Sequence, residues 1–205
     1  MSEFTYENKD TNFELETFEW DNVWLDHITD PTLPRILYIG DSISCGTRRV
    51  ATIASGEKLL FDGFGTSKAL DNPYFKESLL LFARQQPHRN AIIINNGLHG
   101  WHINDGEEYK NLYKNMLEFL MENFKDTPLY IVTTTHVANP EREQRVIARN
   151  KMALELAKEL NLGVIDFYAL SAKNPELVGG DGVHFTPDGY KALAETLLEI
   201  FKDLY

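Results

Sequence analysis

Apolar residues in this chain fall into two alternating patterns. Short, nearly continuous runs rich in Ile, Val and Leu occupy 35–39, 91–94, 129–134 and 163–167, with a weaker run at 58–61. Runs of this length, apolar throughout and bounded by Gly, Asn and Pro, predict strands buried on both faces of a parallel sheet. Between them the spacing changes to three and four. Phe75, Leu79 and Phe82 mark a helix over 72–84. Tyr109, Leu112, Tyr113, Met116, Leu117, Leu120 and Phe124 form a long stripe over 107–124. Val146, Ala153, Leu156 and Leu160 mark a third helix over 141–160, and 187–205 closes the chain as a fourth. Thr186 followed by Pro187 reads as an N-cap and first helical residue.

Strands alternating with helices of these lengths imply βαβ units and a sheet covered on both sides. The predicted architecture is a three-layer α/β/α sandwich around a five-stranded parallel sheet, spanning 35–205. Residues 1–34 read as an N-terminal extension packed on that domain, polar and aromatic, with Phe18, Trp20, Trp24, Pro31 and Pro34. Trp20 and Trp24 lie four apart and would share one helical face. Packing is the ordinary role of such a pair and ligand stacking the rarer one.

Composition narrows the function classes. With 205 residues, one domain is expected. A formal net charge of -11 and no basic stripe argue against a nucleic-acid partner or adsorption to anionic lipid. No secretory leader or membrane-length apolar run is visible, so a soluble cytoplasmic protein is expected. Cys45 stands alone, which excludes an intrachain disulfide and reads as a small buried apolar residue.

Loops that follow strand ends gather along one edge of an open α/β sheet. Here these are 40–46, 62–68, 95–105 and 133–140. The first carries Gly40-Asp41-Ser42. A serine hydroxyl is a weak nucleophile without a neighbouring base. His184 is the candidate base and Asp181, three residues earlier, the carboxylate that orients it. Gly63 and Gly65 allow backbone to approach a ligand closely. Each piece also has a plain explanation. Gly-Asp-Ser is a common turn, Ser42 can simply cap a helix, and His99 can be a satisfied core histidine. His99, His102 and His136 raise the question of a metal, but there is no His-Glu-x-x-His arrangement and no defined third ligand, so no metal is expected. The nucleophile elbow Gly-x-Ser-x-Gly is absent, since 40–44 reads Gly-Asp-Ser-Ile-Ser.

Taken together, the chain resembles the SGNH (GDSL-like) hydrolase family over about residues 35–203. Ile39-Gly40-Asp41-Ser42-Ile43 resembles its first block, and Asp181-Gly182-Val183-His184-Phe185 its last. Asp62-Gly63-Phe64-Gly65-Thr66-Ser67 resembles the second, and Asn96-Gly97-Leu98-His99-Gly100 occupies the place of the third. The resemblance implies a flavodoxin-like sandwich and ester hydrolysis through an acyl-enzyme, with Ser42, Asp181 and His184 catalytic and no cofactor. It implies an oxyanion site made by the N–H groups of Ser42 and of Gly63 or Gly65. The third block departs from the family pattern, with His99 where an asparagine is usual and Gly100 where an aspartate is usual. A neutral imidazole still has one N–H, so His99 joins the oxyanion candidates.

The resemblance implies short acyl groups, such as acetyl on carbohydrate, as substrates, and Trp101 and His102 beside the site can stack on a sugar. A thioesterase or lysophospholipase using the same residues, and a non-catalytic carbohydrate-binding module, are the alternatives. The expected partner is a small ester, such as an acylated carbohydrate.

Overall fold

The computed structural model describes residues 15–205. Its strands are β1 (Asp21–Trp24), β2 (Arg35–Gly40), β3 (Leu60–Thr66), β4 (Ala91–Ile94), β5 (Leu129–Val132) and β6 (Gly163–Ile165). The helices are α1 (Ser42–Ala54), α2 (Phe75–Ala83), α3 (Gly106–Asn123), α4 (Pro140–Glu159), α5 (Phe167–Lys173) and α6 (Pro187–Ile200). One sheet runs in the order β1-β3-β2-β4-β5-β6. From β3 to β6 all neighbours are parallel, whereas β1 pairs antiparallel with β3.

The sheet therefore has six strands, not the expected five, because the N-terminal extension contributes an edge strand. The pattern of apolar positions could not reveal it. All four residues of β1 are exposed, so the strand is held by backbone pairing to β3 and not by burial. Trp20 and Trp24 consequently do not share a helical face. Trp20 is half-buried beside His99 and Trp24 is exposed.

Two helices also escape the apolar pattern. The buried face of α1 is largely polar, with Ser44, Thr47, Arg48 and Thr52 inside, so no stripe marks it. The short α5 occupies the end of what reads as a strand over 163–167. The last helix stops at Ile200, short of 205, and a 3-10 turn, Lys202–Leu204, follows.

Side chains alternate across the fully buried β2. Leu37 and Ile39 enter one core with residues of α2, α3 and α4, such as Leu79, Met116 and Leu156. Ile36 and Tyr38 enter the other with residues of α1, α5 and α6, such as Ala51, Phe167 and Leu197. Three layers result, and the strand ends that carry the chemistry share one edge. Among the described residues no helix is long and apolar enough to cross a membrane.

Candidate active site

Ser42 owes its position to the abrupt change from β2 to α1. A Cβ on Gly40 would lie 2.8 Å from Ser44 Cβ, so only glycine allows the chain to turn directly from strand into helix. Asp41 is the N-cap, and its carboxylate accepts the Ile43 N–H at 2.9 Å. Ser42 is thus the first residue of α1, where backbone N–H groups lack intrahelical partners and the helix favours negative charge. Its own N–H has no acceptor among the described residues. Asp41 is buried, and burial pushes its carboxyl pKa upward against the opposing pull of His99 and of the Ile43 N–H.

His184 arrives from the other end of the chain through the packing of α6 on α1. A Cβ on Gly46 would stand 2.2 Å from the Tyr190 ring, so glycine lets Tyr190 lie directly against α1. Just before α6, Thr186 accepts the Gly189 N–H at 3.1 Å and Pro187 opens the helix. The preceding loop is tied down by Gly179 N–H to His184 O (2.6 Å) and Ala138 N–H to Gly182 O (2.8 Å). Within it Gly182 adopts φ +75, the left-handed region that glycine tolerates.

These constraints put three side chains in one hydrogen-bonded row. His184 Nε2 is 2.8 Å from Ser42 Oγ, and His184 Nδ1 is 2.6 Å from Asp181 Oδ2. Asp181 Oδ1 accepts the N–H groups of Val183 (3.0 Å) and His184 (2.9 Å). The Val183 N–H is the main reason that the Asp181 pKa is held down at about 2.

Gly63 and Gly65 do not behave as the second block suggests. They lie inside β3, paired with Trp24 and Asn22 of β1, and not in a loop. Ser67 N–H donates to Trp20 O at 3.1 Å. Hydrogen-bonded pairs alternate along an antiparallel ladder, so Gly65–Asn22 and Gly63–Trp24 are the next bonded pairs. Both glycine N–H groups are then committed to the edge strand and cannot serve an oxyanion. What the glycines provide is room. A Cβ on Gly65 would sit 2.2 Å from Cys45 Sγ, and one on Gly63 would sit 2.2 Å from the Arg48 side chain. Arg48 crosses that gap to the Asn22 carbonyl (2.9 Å) and side-chain oxygen (2.7 Å), locking α1 to β1.

The loop after β4 is organised by Arg149, which sequence reasoning missed. This buried guanidinium donates to the carbonyls of Gly97 (3.2 Å), His99 (2.6 Å), Gly100 (2.6 Å) and Ile103 (3.2 Å). Burial brings its pKa down to about 10. A charged residue on the apolar stripe Val146–Ala153–Leu156 of α4 was the available signal.

The loop's histidine contacts the N-terminal extension. His99 Nδ1 is 3.6 Å from Glu16 Oε1, and its ring meets Trp20 edge-on at 6.0 Å. Glu16 also accepts the Gly100 N–H at 2.7 Å.

The two residues expected to stack on a sugar are otherwise engaged. His102 is turned inward, its Nε2 2.6 Å from Asp71 Oδ2, which raises its pKa against the effect of burial. This overturns its reading as a substrate contact, since the ring is almost wholly covered. Trp101 is half-buried, with the guanidinium groups of Arg142 and Arg145 over its ring at 5.2 and 4.7 Å. His136 bonds Glu143 at 2.9 Å. The three histidines weighed as a metal cluster thus face three separate carboxylates.

Comparison with known proteins fits this arrangement. A family model described as GDSL-like Lipase/Acylhydrolase matches residues 104–197. Among curated proteins none matches. Among solved structures, a member of the lipolytic protein G-D-S-L family from Veillonella parvula is 22% identical with a TM-score of 0.65, covering 83% of this chain and 99% of that one. The acetyl xylan esterase AlAXEase is 18% identical (TM-score 0.59; 81% and 98% covered). The catalytic domain of Streptococcus pneumoniae peptidoglycan O-acetyltransferase A is 19% identical (TM-score 0.63; 84% and 94% covered). At these identities the structures speak to the fold. The family model covers the residues that carry Asp181 and His184, and the fold is that of solved GDSL-like lipases and acylhydrolases.

Proposed function

We propose that the chain is a serine esterase that cleaves short acyl esters, acetyl on carbohydrate foremost, through an acyl-enzyme on Ser42. The observation that carries this reading is the continuous row Ser42 Oγ–His184 Nε2–His184 Nδ1–Asp181. Ser42 Oγ attacks the ester carbonyl while His184 Nε2 takes its proton. Asp181 fixes the imidazole with Nδ1–H toward itself and stabilises the cation that forms. The negative charge on the carbonyl oxygen develops at the N-terminus of α1, beside the Ser42 N–H. His99 supplies the side-chain donor. The oxyanion breaks down as His184 returns the proton to the leaving alcohol. Water, activated by the same base, then releases the acid.

Exposure supports a short acyl group on a bulky alcohol. The side chains of His184 and Asp181 are 47% and 56% exposed, so the base stands in an open site that a large leaving group can reach. The names of two fold neighbours concern acetyl groups on polysaccharides, which is consistent with this choice.

An organophosphonate is expected to label Ser42 stoichiometrically, and aryl esters of increasing acyl length are expected to turn over fastest as acetates. Absence of labelling in folded protein would remove the enzyme reading. A maximum at octanoyl would replace the acetylesterase with a lipase-like specificity.

A further inference from the structure

The site holds a second carboxylate facing a histidine, and the extension supplies it. Glu16 is five residues ahead of β1 in the chain, yet its side chain is completely buried against the loop after β4. Its Oε1 accepts the Gly100 N–H at 2.7 Å and stands 3.6 Å from His99 Nδ1. That ring nitrogen is itself buried and has no hydrogen-bond partner among the described residues. The ring keeps 14% of its surface exposed, so the exposure belongs to the part of the ring away from Nδ1. Trp20 closes one side of the ring, and Arg149 clamps the backbone carbonyl of the same residue.

We propose that Glu16 is a positioning residue for His99, acting as the counter-ion that lets the imidazole donate from Nε2 to the developing oxyanion. This rests on the reading of His99 as the side-chain donor. The chemistry follows from the proton count. A neutral imidazole has one N–H and one lone pair. A carboxylate beside Nδ1 draws that single proton to Nδ1 and leaves a lone pair on Nε2, which would repel an oxyanion. Only a ring protonated on both nitrogens offers N–H in both directions, and its charge is then compensated by Glu16. Charge-assisted donation of this kind is roughly twice as strong as that of a neutral amide. Charged or titratable groups around the pair include Glu19, Asp41, Arg149 and the His102–Asp71 couple. Where the family uses a neutral asparagine, this chain then uses a two-residue device, half of it lying in the extension.

A double-mutant cycle on the full chain tests the proposal. E16Q removes the charge while keeping shape and one acceptor. It is expected to lower kcat about tenfold with KM little changed, and about twofold or less when introduced into H99N, whose amide needs no counter-ion. E16D, which keeps the charge, is expected to restore part of the turnover lost in E16Q. Turnover is counted per site titrated with the phosphonate, so misfolded protein does not enter. Equal losses in both backgrounds, or none in either, would overturn the proposal and leave Glu16 as packing for the extension. Normal turnover in H99A would instead remove the donor reading of His99, and with it this inference. A loss in E16Q with full activity in H99N and a large loss in H99A would sustain both.

Discussion

Two histidine–carboxylate pairs, His184–Asp181 and His99–Glu16, are built in opposite ways. His184 and Asp181 lie three residues apart in one loop, exposed, with the carboxylate satisfied by backbone N–H groups of that same loop. His99 and Glu16 are 83 residues apart, mostly covered, and meet where the extension packs on the loop after β4. The first pair is a local device that needs little from the fold beyond the docking of α6. The second exists only in the assembled tertiary structure. An exposed pair can exchange protons with water, as a base must on every turnover.

The largest effects should come from the local pair and its nucleophile. Ser42→Ala is expected to lower kcat by on the order of a millionfold with the melting temperature unchanged. His184→Ala should cost at least as much as Asp181→Asn, which is expected to lose about ten-thousandfold by misorienting the imidazole. The Asp181 pKa of about 2 sets the direction of its pH dependence. A depressed carboxylate contributes stability above the usual carboxylate range and loses it only as pH falls through that value. Asp181 therefore stays ionised across the working range, and loss of activity through its protonation should appear only as pH falls toward about 2. A pH–rate profile checks this.

The covered pair should produce a smaller, purely kinetic loss. His99→Ala is expected to lower kcat about a hundred- to a thousandfold with little change in KM, and His99→Asn to recover part of it. If His99 were only a core residue, its loss would appear in the melting temperature, and turnover per titrated site would stay normal.

The same contrast explains what the sequence could disclose. β2, β4 and β5 were legible because Ile36, Ile93 and Ile131 belong to apolar runs that are buried almost throughout, and β6 showed as an apolar run although Val164 is exposed. Ser42, Asp181 and His184 were legible because they stand in short contiguous motifs whose loop positions follow from strand order. The edge strand was not, since Asp21–Trp24 buries no side chain. α1 was hidden by its polar buried face, where Thr47 and Thr52 bond to Ile43 O (2.7 Å) and Phe61 N (3.1 Å). Gly63 and Gly65 look like loop glycines in sequence, although they serve the packing of α1 within a strand. Glu16 carries no local signature, because it acts on a backbone group far away in the chain, and Arg149 is marked only by its place on the apolar stripe of α4.

The glycines offer a third, smaller test. Gly65→Ala forces its new methyl against Cys45 Sγ, so α1 must shift or the sulfur must move. A loss of about 1–3 kcal/mol in stability is expected, as for overpacking elsewhere. Removing the sulfur with Cys45→Ala should recover much of it, together with turnover per folded site. Denaturant melts of the wild type, the two single variants and the double variant measure that coupling, and no recovery in the double variant would mean that the close approach of Cys45 is not what Gly65 serves.

A third histidine–carboxylate pair, His102–Asp71, is the control for the comparison, and it should yield the smallest kinetic effect. It is as covered as His99–Glu16, but its hydrogen bond is already made at 2.6 Å and joins two residues of the scaffold. The bond to Asp71 raises the His102 pKa, burial opposing. A raised imidazole contributes stability that is fully present below its ordinary value of about 6.5 and fades as pH rises through the raised one. Asp71→Asn should therefore lower the melting temperature more at about pH 5.5 than at about pH 9. Turnover per titrated site should remain at the wild-type level throughout. A kcat loss in Asp71→Asn comparable to that of His99→Ala would mean that a buried histidine–carboxylate pair anywhere near this loop affects turnover through loop geometry. The His99–Glu16 and His102–Asp71 pairs would then act alike, as braces of one loop.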